Sequence, residues 1–131
     1  MSILDATVTK IDSVDNLNIV HFDFCGEVLV MMSLDLRHDV KVGARVELLI
    51  KPTSVAIAKD FQGSISYSNQ LQAEIVTCDN GQLLSSVRLK THDSIIDGII
   101  ALDSSKRMDL RVGDIVTLLI KASELAILRV L

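Results

Sequence analysis

The chain contains an internal repeat. Residues 50–58, with the sequence IKPTSVAIA, return as IKASELAIL at residues 120–128, 70 positions later. Val-Gly turns precede the two copies at 42–43 and 112–113, with the same offset of 70. Shorter matches lie upstream, between 33–35 and 101–103 at an offset of 68 and between 4–6 and 71–73 at an offset of 67. Offsets that differ by a few residues place small insertions in loops. A repeat of this kind constrains the architecture more than any other feature. It predicts two units of one fold, residues 1–62 and residues 63–131.

The size and composition of these units predict self-association. In a chain of 131 residues, each unit has about 65 residues, which is marginal for a domain that folds alone. Apolar residues make up 49% of the chain, and the mean hydropathy is positive at +0.41. We therefore expect the units to pack on each other and the chain to form a homo-oligomer.

No stretch of the sequence predicts a membrane partner. No apolar run reaches the roughly 18 to 20 residues that span a bilayer. Residues 1–5 (MSILD) lack the basic and apolar regions of a signal peptide. The two cysteines, Cys25 and Cys78, fall at non-equivalent places in the repeat, which favours a reducing compartment over a disulfide framework. The expectation is a soluble cytoplasmic protein.

Charge and aromatic content argue against nucleic acid as a partner. The formal net charge is −4, and aromatic residues are only 3% of the chain. Proteins that bind nucleic acids usually carry a basic patch or aromatic side chains that stack on bases. This sequence predicts neither a basic patch nor a set of stacking aromatic side chains, so nucleic acid is not an expected partner.

The hydrophobic pattern predicts an all-β fold. The strands are expected at residues 6–11, 18–24, 27–32, 44–50 and 54–58, and again at 73–77, 83–89, 94–101, 114–120 and 124–128. One short helical turn is expected after the third strand of each copy, at 34–39 and 103–108, the second with a hydroxyl or carboxylate to cap it. Pro52 predicts a bend before the last strand of the first copy. The pattern is typical of two tandem five-stranded OB-like barrels, joined by a linker at 59–68.

Motifs of catalysis and metal binding are absent. The sequence has no glycine-rich phosphate loop, no H-E-x-x-H and no C-x-x-C. The three histidines, His21, His38 and His92, are scattered without partners at the spacing of metal ligands. An enzyme is not predicted.

The repeated turn is the best candidate for binding chemistry. Lys51-Pro52-Thr53-Ser54 and Lys121-Ala122-Ser123 each place a cation, hydroxyls and backbone N–H groups in one tight bend. Such donors suit a small dianion, because the positive field is local even in an acidic protein. The alternative is an ordinary surface turn in which serine and threonine serve turn geometry.

Two segments resemble the Mop (molbindin, TOBE-type) domains. Residues 66–71, SYSNQL, resemble the opening S-A-R-N-Q-L of these domains. Residues 112–123, VGDIVTLLIKAS, are similar to the closing V-G-D-x-V-T-A-x-I-K-A-S, and residues 42–54 are a looser copy. Two such units cover nearly the whole chain. The resemblance implies a stand-alone di-Mop protein that binds molybdate or tungstate in the cytoplasm and assembles as a homotrimer with sites between subunits.

The repeated turn and the resemblance together imply ten oxyanion ligands. They are Ser33, Lys51, Thr53, Ser54, Ser66, Ser68, Asn69, Ser104, Lys121 and Ser123. The arginine of the family's opening motif falls on Ser68, so its charge is missing, and the first copy has no such opening motif. The second copy is therefore expected to supply most of the ligands.

Two functions remain open at this point. The first is a molybdate or tungstate binding protein for storage, buffering or delivery. Molybdate and tungstate are unprotonated dianions, so a shell of donors suits them, whereas the O–H of phosphate would find no acceptor. The second is an oligomeric interaction module without a ligand, associated with a molybdate transporter or regulator, which the loss of the arginine at Ser68 favours.

Overall fold

The computed structural model describes all 131 residues, and most of the chain forms β-strands. The first copy contains β1 (Ser2–Val14), β2 (Leu17–Phe24), β3 (Glu27–Leu34), β4 (Arg45–Ile50) and β5 (Ala56–Ala58), and the second contains β6 (Asn69–Asn80), β7 (Leu84–Thr91), β8 (Ser94–Ala101), β9 (Ile115–Ile120) and β10 (Ala126–Val130). One short helix, α1 (Leu102–Arg107), follows β8. The predicted all-β fold with five strands in each copy is confirmed. No helix has the length and apolar character needed to cross a membrane.

Alternation of side chains explains why these segments form strands. In β1, Ser2, Leu4 and Ala6 are buried, while Ile3 and Asp5 between them are exposed. Successive side chains of a strand point to opposite faces, so this alternation buries one face of the sheet. The buried faces of both copies meet in one hydrophobic core of 24 residues. The two halves are therefore packed on each other, as their small size requires.

The last strand of each copy crosses to the other copy. The two antiparallel sheets have the strand orders β10-β4-β1-β2-β3 and β5-β9-β6-β7-β8. Strand β10 thus completes the sheet of the first copy, and β5 completes the sheet of the second. The predicted boundary between residues 62 and 63 lies in a connection without helix or strand. That boundary stays a prediction. Strand β5 precedes it in the sequence but belongs to the sheet of the second copy, and β10 follows it but belongs to the sheet of the first.

A basic residue anchors each exchanged strand to the other copy. Arg129 of β10 lies 2.7 Å from a carboxylate oxygen of Glu47 on β4. Lys59, directly after β5, lies 3.1 Å from Asp114 of the second copy. Lys59 and Arg129 are 70 positions apart, so the repeat preserves a cation at this place.

The structure also repeats the details of the Val-Gly turn. The N–H of Gly43 donates to the carbonyl of Val8, and that of Gly113 donates to the carbonyl of Ile75, both at 2.8 Å. Both glycines adopt a positive φ, 92° and 94°, a conformation that other residues disfavour. The turn therefore requires glycine in both copies.

The predicted helical turn of the first copy is wrong. Residues 35–39 contain a bend at Asp35 and a turn at 38–39, but no helix. Asp35 has a left-handed φ of 49°, and its N–H donates to the carbonyl of Asn16 at 3.2 Å, so the chain cannot wind into a helix there. In the second copy α1 is present, but its N-cap is Ala101, and no side chain caps it.

Candidate functional site

Each repeated turn forms a single turn of 3-10 helix. We call Lys51–Ser54 the first lysine turn and Lys121–Glu124 the second lysine turn. In each, the N–H of the fourth residue donates to the carbonyl of the lysine at 2.9 Å. Pro52 begins the helical turn of the first copy, where the missing N–H costs nothing. The predicted bend at Pro52 is confirmed, and both lysine side chains are exposed.

The two lysine turns lie against each other. The hydroxyl of Ser54 donates to a carboxylate oxygen of Glu124 at 3.0 Å. These residues occupy the same position in the repeat, so the contact joins the copies where their turns meet. The hydroxyl of Ser54, one of the ten predicted ligands, is thus engaged by a carboxylate. An anion placed between the two turns would meet the negative charge of Glu124.

A cavity borders the second lysine turn and brings together predicted ligands from both copies. Its volume is about 450 Å³. Ser33 and Ser123 both line it, although they are 90 positions apart in the sequence. The other lining residues come from β3, the turns after it, and β10, and most are apolar. Strands β3 and β10 are the two edges of the first sheet, so the cavity fills the gap between them.

The segment predicted to open the second copy lies beside the second lysine turn. Asn69 pairs with Ile120 in the ladder between β6 and β9. The next residues outward from this pair are Ser68 and Lys121, so the register places them at the same end of the two strands. Ser66 and Ser68 are both exposed.

Asn69 itself is fully buried, and its side chain holds the two copies together. Its Oδ1 accepts from the N–H of Val30 at 2.6 Å, and its Nδ2 donates to the carbonyl of Val30 at 2.9 Å. The counterpart of Asn69 in the first copy is Ser2, whose hydroxyl oxygen accepts from the N–H of Asp97 at 2.9 Å. Both polar atoms of the Asn69 side-chain amide are therefore hydrogen-bonded to strand β3.

The first lysine turn borders a different cavity. This cavity has a volume of about 420 Å³ and lies along the outer faces of β6, β7 and β8. None of the ten predicted ligands lines it, although Pro52 of the first turn does. Thr53 is exposed, and Ser104 on α1 accepts from Arg107 at 3.3 Å. The ligands predicted for the first lysine turn therefore do not line a common cavity, whereas Ser33 and Ser123 do.

One cation at the second cavity was missed by sequence reasoning. Arg37 lines the cavity with Ser33 and Ser123. Its guanidinium donates to a carboxylate oxygen of Asp39 at 2.8 Å, and that hydrogen bond lowers the pKa of Asp39. Asp35 also lines the cavity, so a carboxylate lies near the cation. The counterpart of Arg37 in the repeat is Arg107, which ends α1 and lines neither cavity. The sequence signal that could have found Arg37 is the repeated Arg-x-Asp pattern at residues 37–39 and 107–109.

Comparison with known proteins supports the architecture. No protein-family model matches the chain, and no curated protein matches its sequence. Among solved structures, the cytoplasmic molybdate-binding protein ModG, crystallised with molybdate bound, superposes with a TM-score of 0.87. The chain has the fold of ModG. The predicted Mop-type architecture is therefore confirmed.

The likeness to ModG is one of fold over nearly the full length. It covers 95% of this chain and 93% of ModG, so it extends over both copies of the repeat. Sequence identity is 18%, which leaves most side chains different. The likeness therefore extends to the fold and not to the identity of individual side chains.

Proposed function

We propose that the chain binds a tetrahedral oxyanion, molybdate or tungstate, in the cytoplasm. The observation that carries this proposal is the cavity at the second lysine turn, where Ser33 and Ser123 meet from different copies. The fold shared with ModG, which was crystallised with molybdate, supports the same ligand class. The role we propose is storage, buffering or delivery, without catalysis.

The proposed ligands fall into two groups. Ser33 and Ser123 line the cavity, and Ser68 and Lys121 lie at one end of β6 and β9 beside the same turn. Hydroxyls and the lysine ammonium donate hydrogen bonds to a bare dianion without needing an acceptor in return. Lys51 and Thr53 belong to the first lysine turn and Ser104 lies on α1, and for these three we propose a weaker or auxiliary contribution. Because the amide of Asn69 already binds Val30, we propose that this residue shapes the site.

We also propose that the protein assembles as a homotrimer. The tips of the two long hairpins expose apolar side chains, among them Val14 and Leu34 in the first copy and Leu83 and Leu84 in the second. Contiguous exposed apolar groups of this kind mark surfaces that associate. The number three comes from the family resemblance, and sedimentation velocity measures it directly.

Equilibrium titration tests the proposed function. Purified protein is titrated by calorimetry with molybdate, tungstate and sulfate at neutral pH. We expect saturable binding of molybdate and tungstate, and weaker binding of the smaller sulfate. The variant Ser123→Ala should weaken binding, while Thr53→Ala, the same position in the first copy, should have a smaller effect. No binding of any of the three anions at millimolar concentration would refute the proposal and leave the interaction module as the explanation.

A further inference from the structure

A dianion bound at the second lysine turn needs a compensating positive charge. Desolvating an anion without a cation or strong donors is costly. The resemblance places the family's arginine at Ser68, which carries no charge. Lys121 is exposed and does not line the cavity, so its charge is partly screened by water. The cavity therefore needs another cation.

We propose that Arg37 supplies this charge and is the principal cation of the oxyanion site. This inference rests on the proposed function of the same cavity. Arg37 is the only basic residue that lines the cavity, and Ser33 and Ser123 line it too. A guanidinium offers a planar array of donors that matches two oxygens of a tetrahedral anion.

The backbone around Arg37 holds it at the cavity. The carbonyl of Arg37 accepts from the N–H of Val40 at 3.1 Å, and the side chain of Val40 is buried and also lines the cavity. The turn is thus anchored at the position from which the guanidinium extends. Because 54% of the Arg37 side chain remains accessible, an anion can reach its free N–H groups.

Two carboxylates oppose the charge of Arg37 and set how tightly the site can bind. Asp39 occupies one nitrogen of the guanidinium at 2.8 Å, and Asp35 lines the cavity itself. An incoming dianion competes with Asp39 for the guanidinium and is repelled by Asp35. Removing either negative charge should therefore strengthen binding, which is the opposite of what a merely structural ion pair predicts.

The second copy offers a matched control. Arg88 is as exposed as Arg37, at 56% of its side chain, and it pairs with Asp97 at 3.0 Å. It lines the other cavity, which contains none of the ten predicted ligands. Loss of Arg88 changes the net charge of the protein by the same amount as loss of Arg37, without touching the proposed site.

The test is calorimetric titration with molybdate of the full chain and of Arg37→Gln, Arg37→Lys, Asp39→Asn and Arg88→Gln, each checked for folding by circular dichroism. We expect Arg37→Gln to weaken binding about tenfold or more, since hydrogen bonds to charged groups are the strong ones. Arg37→Lys should restore part of the affinity, because lysine keeps the charge but loses the planar array of donors. Asp39→Asn should bind more tightly, and Arg88→Gln should bind like the unchanged protein.

Three results would overturn the inference, and they are distinguishable from failure of the proposed function. Unchanged affinity in Arg37→Gln would remove Arg37 from the site while leaving oxyanion binding intact. Equal losses in Arg37→Gln and Arg88→Gln would show a general effect of net charge. Weaker binding in Asp39→Asn would show that the ion pair acts structurally. Absence of binding in the unchanged protein would refute the oxyanion function itself, and this inference with it.

Discussion

At the scale of single residues, Asn69 and Ser2 occupy equivalent positions and make the same contact between the copies, but with different numbers of hydrogen bonds. Each begins the first strand of its copy and binds the backbone of the third strand of the other copy. Asn69 satisfies both the N–H and the carbonyl of Val30, whereas Ser2 accepts only from the N–H of Asp97. Since the third strand β3 carries Ser33, the Asn69 contact also fixes one wall of the cavity.

Replacement of Asn69 should cost more stability than replacement of Ser2. Asn69→Ala removes two hydrogen bonds and leaves two polar groups of Val30 unpaired, which we expect to cost about 2 to 4 kcal/mol. Ser2→Ala removes one, at about 1 to 2 kcal/mol. Urea denaturation at neutral pH measures both values. Equal and small losses, together with a large loss of molybdate affinity in Asn69→Ala, would instead make Asn69 a ligand.

A serine–asparagine hydrogen bond that occurs once in each copy explains why some contacts could not be predicted from the sequence. Ser13 donates to Asn18 Oδ1 at 2.6 Å in the first copy, and Ser85 donates to Asn80 Oδ1 at 2.7 Å in the second. The two positions correspond in the repeat, but the serine and the asparagine have changed places. A search for repeated residues misses this pair, because what is preserved is the hydrogen bond across two paired strands.

At the scale of secondary structure, the order of the strands was predictable, whereas the exchange of β5 and β10 was not. Alternating apolar residues and the Gly-containing turns locate the strands. The two exchanged strands begin alike, with Ala56-Ile57 and Ala126-Ile127. Either strand therefore fits beside β4 or β9, and the local sequence does not choose between these partners. The cavity between β3 and β10 depends on that choice, so its residues could not be grouped beforehand.

Matched substitutions in the exchanged strands should destabilise the opposite copy. Ile57 and Ile127 occupy the same position in the repeat, and both pack against the core. A carboxylate placed there would be poorly solvated and unpaired. Ile127→Asp should therefore speed amide hydrogen exchange in β4, and Ile57→Asp should speed it in β9. Faster exchange in β9 on Ile127→Asp would mean that β10 pairs within its own copy.

The ion pair after β5 gives the link between the copies a dependence on pH. The pKa of Asp114 is lowered, first by the N–H of Arg111 and then by the ammonium of Lys59. A carboxylate with a lowered pKa stabilises the fold above its ordinary pKa of about 4, and this contribution is lost as the pH falls through the lowered value. Asp114→Asn lacks the contribution at every pH.

The stability difference between the unchanged protein and Asp114→Asn should therefore depend on pH in a defined direction. We expect the unchanged protein to be more stable at pH 7 and pH 5, and the difference to shrink at pH 3. Chemical denaturation at the three pH values measures it. Lys59→Met is the control that should retain part of the effect, because the N–H of Arg111 still binds the carboxylate. A difference that grows on acidification would contradict the assignment.

At the scale of the whole molecule, the strand exchange turns the repeat into a pseudo-symmetric pair. Corresponding contacts recur in reciprocal form: Asn69 binds the backbone of β3, and Ser2 binds the backbone of β8. The two lysine turns contact each other through Ser54 and Glu124. This is the arrangement that two identical chains would form about a two-fold axis. The sequence differences between the copies then make the two cavities unequal, so only one of them contains Ser33, Arg37 and Ser123.

A fragment of residues 1–66 should therefore fold only as pairs of chains. Within one fragment, β5 lacks its partner β9, and β4 lacks β10 on its open edge. Because β5 resembles β10, the β5 of one fragment can pair with the β4 of another, which satisfies both edges. Sedimentation velocity and circular dichroism should find a β-rich assembly with an even number of fragments, or three pairs if the full chain is a trimer. A folded monomer would show that β5 can close on its own sheet, and the exchange would then be a consequence of the linker and not of the strands.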